Sequence, residues 1–188
     1  MPVALYGLSC EMFKIKELSE TYNIPVLLDA AEAHMAEENN VPIAKLADIT
    51  SYSTENSKHI STGDGGIVVT DSEFYAKKMR QYGSLGYAAL PAGDGRIRKI
   101  KDIFQNPNYK RHDSFGYNFR MPEVAAALGL AQTECIENFI NLRIQIANIY
   151  LDVISDFKKI IKPQLTDVQY KNTYWTLACK LIDTSISW

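Results

Sequence analysis

Residues 24–28, Ile24-Pro25-Val26-Leu27-Leu28, run without a polar break into Asp29 and directly follow an amphipathic segment. From Glu11 to Tyr22 the nonpolar positions Met12, Ile15 and Leu18 recur every three residues among Glu and Lys, which is one stripe of a helix. Asn23 between the two segments suits a helix C-cap. A strand that is nonpolar on both faces, placed straight after such a helix, suits a parallel sheet covered by helices. The predicted fold class is therefore α/β, and no other feature constrains it as much. The strand ends in Asp29-Ala30-Ala31-Glu32-Ala33-His34, and charged groups at the carboxyl end of a parallel strand lie where such sheets bind ligands.

Two more strands are predicted, Ile49–Ser53 and Gly66–Thr70, joined by a polar connection from Thr54 to Gly65. Thr70 and Glu73 have capping-box spacing and open a helix through Phe74, Ala76, Lys77 and Met79 that stops near Gly83. Residues 84–117 show no sustained period and read as a long loop, a kind of segment that is usually functional. Pro122 at a first helical position and Glu123 in the first turn start a long helix through Val124, Leu128, Ala131, Cys135, Phe139 and Leu142, which bends or breaks before Pro163. Tyr174–Ile182 reads as a final strand.

The chain has 188 residues, 46% of them hydrophobic and 11% aromatic, enough for a sizeable core in one domain, or one plus part of another. With 20 Lys+Arg against 22 Asp+Glu the net charge is -2, which argues against a general nucleic-acid binder. No nonpolar run approaches the roughly 20 residues of a membrane helix, and Met1–Gly7 does not look like a signal peptide. A soluble, cytoplasmic protein is expected. Cys10, Cys135 and Cys179 are odd in number and far apart, so no disulfide framework is expected; His34, His59 and His112 lack metal-ligand spacing, and no metal is assigned.

Three residues carry the chemistry. Asp29 ends one strand, Ser53 ends the next, and Lys58 follows in Ser57-Lys58-His59-Ile60-Ser61-Thr62-Gly63-Asp64-Gly65-Gly66. Singly they read as a helix cap, a turn cap and a surface lysine. Together they supply what pyridoxal phosphate requires: an amine for a Schiff base, a carboxylate for the pyridinium nitrogen and a hydroxyl for the phosphate.

On these residues the chain resembles the DegT/DnrJ/StrS family of pyridoxal-phosphate sugar aminotransferases. The matching blocks are Pro2–Gly7, Tyr22–Val26 running into Asp29–His34, Asp48–Ser53, Lys58–Gly66 and Gly116-Tyr117-Asn118-Phe119-Arg120-Met121-Pro122-Glu123. The resemblance implies part of an aspartate-aminotransferase-like (type I) large domain with a mainly parallel sheet over residues 1–135. Residues 136–188 would hold a connecting helix and the start of a small α+β domain. Lys58 is the implied Schiff-base residue and proton shuttle, Asp29 the partner of the pyridinium nitrogen, Glu32 a neighbour of the cofactor ring and Ser53 a phosphate ligand. Asn118 is implied to reach the cofactor of a neighbouring subunit, making the active unit a homodimer. The implied substrates are glutamate and a nucleotide-linked keto-sugar such as a 4-keto-6-deoxyhexose.

Substrate contacts are expected from His34 and from Arg96, Arg98, Lys110 and Arg111. The four basic residues lie in a stretch, Asp94 to His112, with six positive and two negative side chains, and such groups attract a diphosphate. Relatives that dehydrate deoxysugars carry His at the Lys58 position, and His59 is adjacent; counting back from Gly65-Gly66 lands on Lys58 and favours transamination. The rival readings are a dehydratase and a non-catalytic or regulatory member of the fold. Met35, Asn40, Ala44 and the Tyr52-Ser53-Thr54 triplet depart from the family's commoner residues. The resemblance also implies a fragment, beginning inside the large domain and stopping just inside the small one. The isolated chain is then expected to bind pyridoxal phosphate poorly and to show no transaminase turnover.

Overall fold

The amphipathic run near the start is helical in the computed structural model, which describes residues 1–88, 105–157, 161–164, 166–183 and 185. They fall into two compact units, one of Met1–Val69 with Glu123–Trp188 and one of Thr70–Pro122. In the first unit α1 spans Met12–Tyr22 and ends on Asn23, whose φ of 50° is the left-handed conformation that asparagine tolerates. At the other end Glu11 makes no side-chain cap. A residue distant in sequence does so: Glu38 Oε2 accepts from Met12 N at 2.6 Å, and Glu38 is buried. This places a carboxylate against the positive end of the helix dipole.

β1 (Leu27–Asp29) pairs in parallel with β4 (Ile49–Ser53), setting Leu27 opposite Ile49 and Asp29 opposite Ser51. Val3 forms a further parallel bridge to Asp29. β5 (Gly66–Val69) lies antiparallel on β4, with Ser53 opposite Gly66. The fold is α/β as expected, but the sheet is mixed, because the Thr54–Gly65 loop returns directly to the neighbouring edge without a crossover helix. The strand at residues 24–28 is also less enclosed than its composition predicts. Leu28 is fully buried with Ala4, Met12, Val26, Ala30 and Ile43, whereas Leu27 on the opposite face is 41% exposed. A single layer, α1 with the turn at Ile43–Leu46, covers this sheet among the described residues.

A second small sheet joins β2 (Glu37–Glu38), β3 (Val41–Pro42) and β7 (Tyr170–Lys171). Asn39 and Asn40 make its two-residue turn, both at positive φ (52° and 61°), so asparagine at 40 serves the conformation that glycine otherwise takes. The long helix is two: α3 (Glu123–Thr133) and α4 (Ile136–Ile154), broken at Glu134–Cys135. The final strand is shorter than predicted. Only β8 (Cys179–Leu181) pairs, with β6 (Ile161–Pro163), and residues 172–175 are irregular, tied to the first loop by Thr173 N donating to Gly7 O at 2.8 Å.

In the second unit α2 (Glu73–Gly83) is capped by Ser72, whose Oγ accepts from Tyr75 N, and not by Thr70; Thr70 Oγ1 instead accepts from Ser72 N. The chain after α2 pairs with itself through the bridges Ser84–Asn118 and Tyr87–His112. No described helix is long and nonpolar enough to cross a membrane.

The Glu38 cap predicts that Glu38→Ala lowers unfolding free energy in urea by about 2 kcal/mol, since the buried Met12 N–H loses its acceptor. An unchanged midpoint would show that water replaces the carboxylate without loss.

Candidate active site

Parallel pairing brings the carboxyl ends of β1 and β4 to one edge, with Asp29 ending the first strand and Ser53 the second. The Asp29 carboxylate starts the next turn, Oδ1 accepting from Ala31 N at 3.0 Å, and a second turn follows with Ala33 N donating to Ala30 O. Those turns carry Glu32. Its Oε2 accepts from Tyr6 N at 3.1 Å and its Oε1 stands 3.5 Å from Lys58 Nζ. Both side chains are largely enclosed, Lys58 13% and Glu32 19% exposed.

The loop holding Lys58 is braced at its base. Thr54 N donates to Gly65 O, Thr62 N to Thr54 O, and the two threonine hydroxyls meet at 2.7 Å. Ser61 N donates to Gln132 Oε1 on α3 at 2.8 Å, and Ser53 Oγ accepts from Glu55 N at 3.2 Å. Lys58 Nζ lies 4.2 Å from the centroid of the Trp175 ring, whose Nε1 donates to Ser57 O at 3.0 Å. The rings of Tyr6 and Trp175 are nearly parallel, 6.4 Å apart.

His59 points elsewhere. It is buried, its Nε2 meets Thr173 O at 3.0 Å, and its ring lies 5.2 Å from that of His34. The adjacent positions thus differ in environment: Lys58 faces a carboxylate, while His59 faces a backbone carbonyl in the interior. His34 is also buried, against Tyr52 and His59, and among the described residues neither of its ring nitrogens makes a hydrogen bond of ordinary geometry. Burial, followed by the Lys58 charge, pushes the His34 imidazole down to about 4. Burial, followed by the neighbouring His34, pushes His59 down to about 3. Burial also raises the Tyr52 phenol above its ordinary value.

The donor set suits pyridoxal phosphate: an enclosed amine beside a carboxylate, and an acid and a hydroxyl at the ends of neighbouring parallel strands. The model of the DegT/DnrJ/EryC1/StrS aminotransferase family matches residues 1–186. The chain belongs to this family.

Among its relatives is the GDP-perosamine synthase of Escherichia coli O157:H7, 33% identical over 178 residues, covering 95% of this chain and 43% of that protein. The X-ray structure of the aminotransferase from Psychrobacter cryohalolentis superposes with a TM-score of 0.78 at 29% identity, covering 92% of this chain and 44% of the other. The E. coli GDP-4-keto-6-deoxy-D-mannose-3-dehydratase with bound hydrated PLP superposes at 0.81 and 23% identity, over 98% of this chain and 47% of the other, a likeness of fold. The chain spans less than half the length of these proteins.

Other expected site residues of this family member lie in the second unit or outside the described residues. Asn118 Oδ1 accepts from Arg120 Nε at 2.9 Å, and Lys110 pairs with Asp113 at 3.4 Å on the surface. Arg111 contributes its carbonyl to Ala88 N. Arg96 and Arg98 lie outside the described residues. Sequence reasoning missed Tyr6 and Trp175, since a residue 118 positions from Ser57 in the chain carries no local mark of its partner.

The two buried histidines make stability depend on pH. Unfolded, each titrates near 6.5; folded, both are held neutral to about 4 and 3. Between pH 6.5 and 4 the unfolded chain therefore binds more protons. Stability falls as pH drops through that window, approaching about 1.4 kcal/mol per pH unit for each histidine, and neither contributes above it. Urea titrations at stepped pH should show a shallower slope there for His59→Gln than for the parent. Parallel curves would contradict the neutral buried pair.

Proposed function

We propose that the protein is a pyridoxal-phosphate-dependent aminotransferase. It moves an amino group from glutamate to a nucleotide-linked keto-sugar, in the cytoplasm and as a homodimer. The observation that carries this reading is Lys58 Nζ lying 3.5 Å from Glu32 at the sheet edge that ends in Asp29 and Ser53. When bound, pyridoxal phosphate supplies an aldehyde that bonds amines and a ring that accepts electrons.

This chain's residues do the rest. Lys58 Nζ would hold the cofactor through its aldehyde and, once free, would carry a proton to and from the substrate carbon. Glu32, fixed by the Tyr6 amide, keeps that amine in place and balances its charge. Asp29 would keep the cofactor's ring nitrogen protonated, and Ser53 would help to hold its phosphate.

Residues 1–135 are assigned to the cofactor-binding domain and 136–188 to the connecting helix and the beginning of a smaller one. Lys110 and Arg111, with Arg96 and Arg98, are assigned to the substrate's diphosphate, and His34, buried against Tyr52, is also assigned to the substrate. Asn118 is assigned to the partner's cofactor. It is flanked by Phe115, Tyr117 and Phe119, whose rings pack on one another yet remain exposed, the kind of patch a second subunit covers. Lys58, rather than a histidine facing Glu32, favours amino transfer over dehydration.

In the full-length protein, borohydride should fix pyridoxal phosphate onto Lys58, and Lys58→Ala should lower glutamate-dependent amino transfer by about a thousandfold or more. Dehydration of the keto-sugar without amino transfer, or equal turnover in parent and Lys58→Ala, would contradict this reading. Mixing Lys58→Ala with Asn118→Ala subunits should restore part of the activity that each variant lacks, because one site of the hybrid dimer is complete. No recovery would place Asn118 in its own subunit's site or remove it from the chemistry.

A further inference from the structure

Trp175 belongs to no strand, and the family resemblance gives it no task, yet side-chain and backbone contacts both hold it beside Lys58. Its ring faces Lys58 Nζ at 4.2 Å while Glu32 approaches the same atom at 3.5 Å. Its Nε1 is held by Ser57 O, and its carbonyl accepts from Arg143 Nη1 on α4 at 3.1 Å. Two residues upstream, Thr173 bonds to Gly7 O through its amide and to His59 through its carbonyl. Gly7, at φ 93°, makes this approach feasible, since a Cβ there would collide with the Tyr174 nitrogen. Several independent contacts therefore converge on one outcome, the placement of the indole on the amine.

Resting on the function proposed above, we infer that Trp175 is a positioning residue: its ring face, together with Glu32, holds the Lys58 side chain in place and sets how readily it bonds an aldehyde. The ring attracts the cation through its quadrupole, and the attraction requires the charge. Condensation with an aldehyde forms a C=N bond and releases one water, and the nitrogen's positive charge is either given up to solvent with a proton or spread over the C=N bond. The ring thus stabilises unbonded Lys58 over bonded Lys58, and only such a difference moves the equilibrium. It also aims the released amine. Removing the ring should act oppositely on two observables: Lys58 bonds the aldehyde more tightly, and turnover slows.

The test uses the full-length protein. The fraction of Lys58 fixed by borohydride is titrated against pyridoxal phosphate, and kcat for amino transfer is measured alongside. Trp175→Leu keeps nonpolar bulk without a ring, and Trp175→Phe keeps a ring face. The leucine variant should need about five-fold less pyridoxal phosphate for half-modification and show a lower kcat, while the phenylalanine variant stays within about two-fold of the parent. Weaker modification together with slower turnover, or equal values for leucine and phenylalanine, overturns the inference. Arg143→Met loosens Trp175 through its backbone and should shift both observables in the same senses by less; it decides the matter if Trp175→Leu does not fold. No fixation on Lys58 in the parent would overturn the proposed function and this inference with it, whereas fixation with equal leucine and phenylalanine values overturns the inference alone.

Discussion

An ammonium group removed from most of its water needs a counter-charge, because each such ion otherwise costs several kcal/mol on the order of a domain's whole stability. Lys58 satisfies that need with Glu32, and much of the first unit's geometry follows from bringing the two together. β1 must end where it does for the turn after Asp29 to present Glu32. β4 must run parallel to β1 for the loop after Ser53 to start at the same edge. The threonine pair at the base of that loop and the bond from Ser61 to Gln132 then fix how the lysine approaches. Tyr6 adopts a positive φ of 60°, strained for a non-glycine residue, and its amide meets the other oxygen of Glu32.

The neighbouring histidine shows how one residue of register separates two environments. His59 lies in the interior on a backbone carbonyl, beside His34, and burial keeps both rings uncharged at neutral pH. An amine beside a carboxylate and a neutral imidazole sealed from the site cannot exchange tasks. The chain belongs to the aminotransferase family, and the Lys58–Glu32 pairing is the feature on which the proposed chemistry rests.

Much of this was legible in the sequence where the signal is local. The stripe of Met12, Ile15 and Leu18, the cap at Asn23, and the strand ends at Asp29 and Ser53 all lie where periodicity and composition put them. The misses have a common cause in long-range contacts. The helix α1 is capped by Glu38 across 26 residues, a relation no capping box describes. Residues 174–178 have strand composition, but the ties of Thr173 to Gly7 and of Arg143 to the Trp175 carbonyl hold that stretch's start in an irregular path. The composition of residues 24–28 predicts a strand enclosed on both faces, yet among the described residues Leu28 is buried while Leu27 on the opposite face is exposed, and composition alone does not say which layer covers a face.

Lys58, oriented by Glu32, is the group proposed to meet the cofactor, with His59 turned away. A crystal structure of the full-length protein grown with pyridoxal phosphate tests it most directly. Continuous density is expected from Lys58 Nζ into the cofactor, with Asp29 at the ring nitrogen and His59 still on the Thr173 carbonyl. Density that ends short of Lys58, or a cofactor approached by His59, would contradict it.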